Sequence, residues 1–277
     1  MNTHKKKRTV GKVFCYLLLL CMTIITAFPF LWMILSSFKQ SSEFYLLVPK
    51  LLPEKFQWNN FTELFEKWSF ARYYKNSIFV TAVQVISNIL IVLLAGYGFA
   101  KFNFKGKNSL FLIVLSSTMI PWVATIIPLY ILTNSLHLID TYPGLIIPGM
   151  ADAFSIFLAR NFMSTIPTPL LEAARIDGAG ELKVFFRVVI AQVKPLIAVI
   201  AIQKMISSWN AFQWPLLVVN SEELRTLPIA MAKLSSLYYD SYNLKMAAAT
   251  LAIIPVLILY IAFQKYFVEG ISLSGIK

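Results

Sequence analysis

The chain has 277 residues, 58% of them hydrophobic and only 14% charged, where a soluble domain carries about a quarter charged residues. Apolar blocks long enough to cross a bilayer exclude an ordinary water-soluble domain and predict an all-α integral membrane protein built as one transmembrane unit. The net charge of +12 does not mark a nucleic-acid binder, because the basic residues cluster at the ends of the apolar blocks, where they set topology.

The N-terminus, His4-Lys5-Lys6-Lys7-Arg8 before an apolar run, has the outline of a secretory signal. The run from Val13 to Leu35 is too long for one and no small-residue cleavage site follows, so it reads as a retained first span after a tail of residues 1–12. Cys15 and Cys21 lie within this span and read as small buried hydrophobes. Span one is predicted over Val13–Ser37, with Pro29 near its outer end. Residues 38–75 turn polar and form the longest loop. Its aromatics Trp58, Phe61, Phe65, Trp68 and Phe70 suit packing at the membrane surface or a docking face for a partner.

Span two is predicted over Ser77–Ala100 and ends in Ala95-Gly96-Tyr97-Gly98-Phe99-Ala100, small residues that let helices approach closely. Span three, Ser109–Leu132, carries Pro121 and Pro128, which predicts a bent or partly unwound helix. Span four, Pro143–Met163, carries Pro148 and Asp152. Span five is placed at Val188–Ser208 and span six at Leu244–Phe267, so that residues 13–268 make six spans and 269–277 a short tail. With both termini inside, 15 of the 25 Lys and Arg fall on the cytoplasmic side, nine outside, and Lys204 within a span. This bias places the loop of residues 164–187 in the cytoplasm.

That loop holds Pro167-Thr168-Pro169-Leu170-Leu171-Glu172-Ala173-Ala174-Arg175-Ile176-Asp177-Gly178-Ala179-Gly180. It reads as a very short helix with Thr168 as its N-cap, Pro169 at the first helical position and Glu172 near the positive end of the dipole. Gly178 can take the left-handed conformation that stops the helix. Leu170, Leu171 and Ala174 share one face. A helix this short is marginal in water by itself, so the face needs a host groove. A plain capped connector between two spans would show the same caps.

The pattern Glu172-Ala173-Ala174, two residues, Asp177-Gly178-Ala179, then an apolar run, resembles the "EAA" loop of importer-type ABC permeases. Lys194-Pro195, Trp209-Asn210-Ala211-Phe212-Gln213-Trp214-Pro215-Leu216, Thr226-Leu227-Pro228 and Tyr266-Phe267-Val268-Glu269-Gly270 match the carbohydrate-uptake branch of that family at the expected separations. The resemblance covers nearly the whole chain and is closest to the shorter, six-span partner of the maltose-permease type. It implies the type I ABC importer permease fold with a cytoplasmic coupling helix, in a bacterial cytoplasmic membrane. Leu170, Glu172, Ala173, Ala174, Asp177, Gly178 and Ala179 would couple it to the ATPase. The implied partners are a second, different permease subunit, two cytosolic ABC ATPase subunits that carry ATP and Mg²⁺, and an extracytoplasmic sugar-binding protein, with membrane lipid around the spans and no nucleic acid. The tail from Glu269 would also touch the ATPase. The family usually has a proline where this chain has Ala191, which removes one source of a kink before span five.

The chain itself carries no phosphate-cradling loop: Gly106-Lys107-Asn108 lacks the first glycine and the Ser/Thr after the lysine. No nucleophilic triad, HExxH or metal spacing stands out, and His4 and His137 are isolated, so it reads as a permease rather than an enzyme. Polar residues inside spans are costly and mark pathways; here they are Asn88, Asp152, Gln192, Gln203, Lys204 and Asn210. Asp152 and Lys204 either face one another across adjacent spans or, for Lys204, the long side chain snorkels to a span end. Trp209, Asn210, Phe212 and Trp214 combine aromatic faces with an amide, as a sugar pathway needs, and with Asp152 form the candidate translocation pathway. An interfacial aromatic belt explains the tryptophans equally well. The reading is an ATP-driven carbohydrate importer subunit. An ion-coupled secondary transporter or channel of small polar solutes is the alternative, and would need an ion site and usually an internal repeat. A membrane scaffold without transport is a third.

Overall fold

The computed structural model describes the backbone of residues 2–234 and 241–274 and the side chains of residues 12–234 and 241–264. The motif from Tyr266 to Gly270, including the predicted partner contact of Glu269, lies outside the described side chains. All regular structure among the described residues is helical. Among the described residues, three helices are long and apolar enough to cross a membrane: Lys12–Ser36, Phe70–Lys101 and Tyr242–Gln264. Three further spans are bent pairs, giving six if each pair counts once. The chain divides into two compact units.

The first unit comprises Met1–Phe70 and Met231–Ile254. Its long helix α1 (Asn2–Ser36) runs through Pro29 without a break. The side chains along its span stay exposed, and Cys15 and Cys21 with them, so the prediction that both cysteines are buried is corrected: in a membrane helix that face meets lipid or a partner. After α1 the chain is held by buried polar groups. The Asn60 carboxamide, on α2 (Asn59–Lys67), donates to the carbonyls of Ser37 (2.8 Å) and Lys39 (2.9 Å) and accepts from Asn243 (2.8 Å). Glu43 accepts from the backbone N–H of Gln40 and of Glu54. Phe38 packs against Phe56, Trp58 and Phe61, so part of the loop's aromatic content is consumed in its own packing.

The second unit comprises Ala71–Ala230 and Pro255–Lys277. Its helix α3 (Phe70–Lys101) begins seven residues earlier than predicted, which shortens the preceding loop. Span three is broken rather than kinked: α4 (Lys107–Ser116) and α5 (Trp122–Ser135) meet at 106° around Pro121. Pro128 lies inside α5 without breaking it. Span four bends by 43° between α6 (Tyr142–Ile146), with the turn that follows it, and α7 (Ala153–Ser164). After α8 (Thr168–Ile176), span five begins at Glu181 rather than Val188. It runs through α9 (Glu181–Val184), a π turn at Phe185–Val189 and α10 (Ile190–Gln192), and bends by 82° into α11 (Lys194–Trp209). Ala191 therefore does not abolish the bend; the π turn and the Lys194-Pro195 step supply it. The segment closes with α12 (Gln213–Val218) and α13 (Leu227–Lys233).

Breaks free backbone groups that lipid cannot satisfy, and α3 supplies partners from a stripe of buried polar side chains. Asn76 donates to the carbonyls of Glu223 (2.7 Å) and Arg225 (2.9 Å) and accepts from the Tyr142 hydroxyl (2.7 Å). The Ser77 hydroxyl accepts from the Leu227 N–H, at 2.7 Å. Gln84 donates to the carbonyls of Leu145 (3.0 Å) and Ile146 (3.2 Å), beside the bend in span four. Asn88 donates to Asp152, at 3.1 Å. Where α3 needs contact instead of bonds, it uses glycine: a Cβ on Gly96 would lie 2.5 Å from the Cβ of Ala159 on α7, whereas one on Gly98 would meet nothing within 4 Å.

The two glycines should therefore respond oppositely to alanine. Overpacking costs about 1–3 kcal/mol, so Gly96→Ala should lower the melting temperature of the detergent-solubilised protein. Gly98→Ala should raise it, since alanine gains about 0.5–1 kcal/mol over glycine inside a helix; equal shifts would contradict the packing. A second expectation concerns Asp140, in the turn before α6. Its carboxylate accepts from the N–H groups of Ser221 and Asn220 (3.0 Å each) and from the Ser221 hydroxyl (2.9 Å). These bonds, the Ser221 N–H first, hold its carboxyl below the usual aspartate range. Because the folded value is depressed, this stabilisation is complete above the ordinary range and is lost as pH falls through the lowered one. Asp140→Asn should flatten the fall in melting temperature between about pH 6 and about pH 3, measured against the parent.

Candidate functional site

Two features stand apart from the packing of the second unit. The first is α8. It begins at Thr168 with Pro167 in the cap position, and no side chain caps it, so the predicted Thr168 cap shifts by one residue and Pro169 sits one position further in. A proline there still removes only an N–H that lacks an intrahelical partner. The other end is as the residues predict. Gly178 has φ +80°, its N–H donates to the Arg175 carbonyl (3.0 Å), and the Ala179 N–H donates to the Ala174 carbonyl (3.0 Å). These are the two bonds of a Schellman stop.

The predicted apolar face divides. Leu171 is 1% exposed and joins a core of Tyr97, Met163, Val184 and Phe185, with Ala174 and Ala179 packed against it. The host groove for this face is the chain's own bundle. Leu170 lies at the edge, 40% exposed. The outward side carries Pro169, Glu172, Ala173 and Ile176 at helical spacing, followed by Asp177 and Gly178, all exposed. Ile176 is 86% exposed and escapes a reading that looks for charges and caps; its signal is a β-branched residue one helical turn beyond Glu172 and Ala173. Neither carboxylate of Glu172 and Asp177 has a hydrogen bond or ion pair within the described residues. Behind the helix, Arg175 donates to Glu181 from Nε (2.7 Å) and Nη2 (3.3 Å), and Glu181 also accepts from the Tyr97 hydroxyl (3.1 Å). This bidentate bridge ties α8 to the start of span five and to α3.

The second feature is a cavity of about 620 Å³ in the same unit. Asp152, Asn210, Phe212 and Trp214 line it, together with Gln84, Trp122, Lys204 and Ser207. Trp209 does not: it is buried and meets Tyr74 edge-on at 5.7 Å, so its placement in the pathway is corrected to the packing beneath. One helical residue later the chain leaves α11, and Asn210, Phe212 and Trp214 turn to the cavity. Trp214 donates its indole N–H to the Gly144 carbonyl (3.0 Å) and meets Trp122 edge-on at 6.3 Å. Asp152 caps α7, accepting from the Ser155 N–H at 2.7 Å with one oxygen and from Asn88 with the other. Lys204 lines the same cavity as Asp152, with no ion pair between them within 4.0 Å. Gln84 and Trp122 were not among the predicted lining residues, because each reads in sequence as part of an ordinary span. No group of three or more potential metal ligands occurs among the described residues.

Known proteins share this architecture. Residues 87–273 match the family described as "Binding-protein-dependent transport system inner membrane component". The chain is 34% identical over its whole length, and the whole length of the relative, to the arabinooligosaccharides transport system permease protein AraQ of Bacillus subtilis. It is 28% identical to the lactose transport system permease protein LacG of Rhizobium radiobacter, over 98% of both chains. A solved bacterial ABC transporter involved in the import of the acidic polysaccharide alginate has a chain that superposes with a TM-score of 0.84 at 25% identity, covering 94% of this chain and 98% of that one. This chain is a multi-pass membrane protein with the type I ABC importer permease fold, and it belongs to the binding-protein-dependent transport system inner membrane component family.

Proposed function

We propose that this chain is one permease subunit of an ATP-driven importer that moves a carbohydrate, an oligosaccharide or glycoside, through the cavity at Asp152 and Asn210. The observation that carries the reading is the outward face of α8. A rigid, doubly braced helix presents an apolar side chain, Ile176, between two unpartnered carboxylates, which suits a groove on another protein and not a lipid surface. The partners we assign are a second permease subunit, different from this one, two cytosolic ABC ATPase subunits, and an extracytoplasmic sugar-binding protein. ATP and Mg²⁺ belong to the ATPase subunits, and no residue of this chain is assigned to them. Both termini and α8 lie in the cytoplasm, in keeping with the excess of Lys and Arg on that side. The relatives named for arabinooligosaccharide and lactose transport support the substrate class.

In this scheme, ATP closes the two ATPase subunits and carries the grooves that hold α8. Leu170 and Ile176 fill apolar pockets of the groove. Ala173 allows close backbone approach, Ala174 packs against the chain's own core, and Glu172 and Asp177 make charge-assisted bonds to the partner. Gly178 and Ala179 keep the helix end rigid, so movement of the groove becomes movement of the whole loop. The bundle then exchanges between states open to either side. Nucleotide shifts that exchange only through contacts that differ between the two states.

Losing one charge-assisted contact of about 1.5–3 kcal/mol corresponds to about ten-fold or more in affinity. Glu172→Lys, and separately Ile176→Asp, should reduce sugar uptake by at least that factor, with the amount of protein in the membrane unchanged and the ATPase no longer co-purifying. Gly178→Pro, which removes the N–H bond to Arg175 and forbids the positive φ, should do the same. Parental uptake in all three would overturn the coupling role. Uptake that survives ATP depletion and collapses with an ion gradient would overturn the ATP-driven class.

A further inference from the structure

Lys204 lies on α11, and its side chain lines the cavity. Among the described residues it makes no hydrogen bond and no ion pair within 4.0 Å, although Asp152 is the other charged group in the wall. Asp152 is fixed. Ser155 N–H holds one of its oxygens and Asn88, fully buried, holds the other. Each carboxylate oxygen has a second lone pair, and the ammonium has three donor hydrogens. Opposite charges inside a protein normally collapse into contact, because an unpaired ammonium away from water is costly. Here Asp152 is braced by its cap and by α3, the pair is not closed within 4.0 Å, and both groups line one cavity. Nearby, the Asn210 carboxamide donates to the Ile206 carbonyl (3.0 Å), which leaves its oxygen as a further acceptor.

Few ligand groups complete both ends of such a pair. A carboxylate or phosphate accepts from Lys204 and repels Asp152; an ammonium does the reverse. An alcohol accepts from the ammonium and donates to the carboxylate at the same time. We propose that Asp152 and Lys204 form a hydroxyl-bridging subsite, in which one sugar hydroxyl sits between them as the ligand passes and Asn210 accepts from its neighbour. This rests on the transport reading above and sharpens it: the cavity selects neutral polyols over acidic or amino sugars through a donor and an acceptor held apart. Trp122 and Phe212 supply apolar surface for the ring carbons.

The test uses the assembled importer with its receptor in proteoliposomes, with arabinotriose, raffinose and lactose as first probes, and then singly deoxygenated derivatives of whichever is carried fastest. Maximal uptake rates are read at saturating sugar and receptor. Lys204→Met and Asp152→Asn should each lower the rate about ten-fold or more, as expected for a charge-assisted bond. Lys204→Arg, which keeps the donors, should retain most of it. One deoxy derivative should be carried slowly by the parent and be nearly insensitive to Lys204→Met, because the two changes delete the same bond and so do not add. That comparison is made within one preparation and does not depend on how much variant protein assembles. Rates within two-fold of the parent, or losses that add for every deoxy position, would overturn the subsite while leaving transport intact. Absence of ATP-dependent uptake of all three probes by the parent would overturn the transport reading itself.

Discussion

The second unit depends on one constraint: a chain surrounded by lipid must satisfy its own backbone. Straight helices do so automatically, and half of the candidate spans here are not straight. The solution is concentrated in α3. Ser77, Thr81, Gln84 and Asn88 recur at intervals of three or four residues, with Asn76 beside the first, all buried, and form one polar stripe on an otherwise apolar helix. Each position meets a place where another segment stops being regular: residues 223–227, the Ser208 hydroxyl near the end of α11, the carbonyls beside the bend in span four, and the cap of α7. Without Gln84 the bend in span four would leave the carbonyls of Leu145 and Ile146 bare in an apolar medium at about 1–3 kcal/mol each. The bends in turn make the cavity, since Pro148, Gly149, Ala151 and Asp152 line it from the broken part of span four and Asn210 to Trp214 from the end of span five.

The same economy shapes α8. A nine-residue helix has too few internal bonds to persist alone, and its stability comes from both ends and one side. Leu171 is inserted into the core, Gly178 and Ala179 close the last turn, and the Arg175–Glu181 bridge with Tyr97 fixes its azimuth. This bridge is partly exposed, so its value is geometric more than energetic. What is left on the outer surface, Pro169, Glu172, Ala173 and Ile176, is exposed.

Much of this was legible in sequence because it rests on local chemistry. Gly178 announces a left-handed stop, the short Asp152 side chain announces a cavity, and Ala95–Ala100 announces close helix contact. What stayed illegible depends on partners far along the chain. Thr168 has the side chain of a cap, yet the chain leaves Pro167 extended and the helix closes one residue from the expected frame. Trp209 and Trp214 are alike in composition, and only the end of α11 at Asn210 sends one into packing against Tyr74 and the other to the cavity. Cys15 and Cys21 sit in an apolar run that reads as core, but a spanning helix can be apolar and exposed because its solvent is lipid. The stripe on α3 was visible as periodic amides and hydroxyls. Its meaning was not, since nothing local tells a polar residue that lines a pathway from one that repairs a neighbour's broken helix.

A physical route from α8 to the cavity runs along a single stretch of chain. Glu181, held by Arg175, opens span five; the π turn at Phe185–Val189 and the 82° bend at Val193 follow; α11 then carries Lys204 to the cavity and ends where Asn210 begins. A π turn is a site where a helix changes register with little loss of bonding, and Val184, Val189 and Val193 around it are fully buried, so its movement must drag the core with it. α8 and Lys204 therefore lie on one bent, continuous stretch of chain, whereas Asp152 is connected to α8 by two other routes, along α7, which it caps, and through Asn88 on α3, the helix whose Tyr97 bonds Glu181.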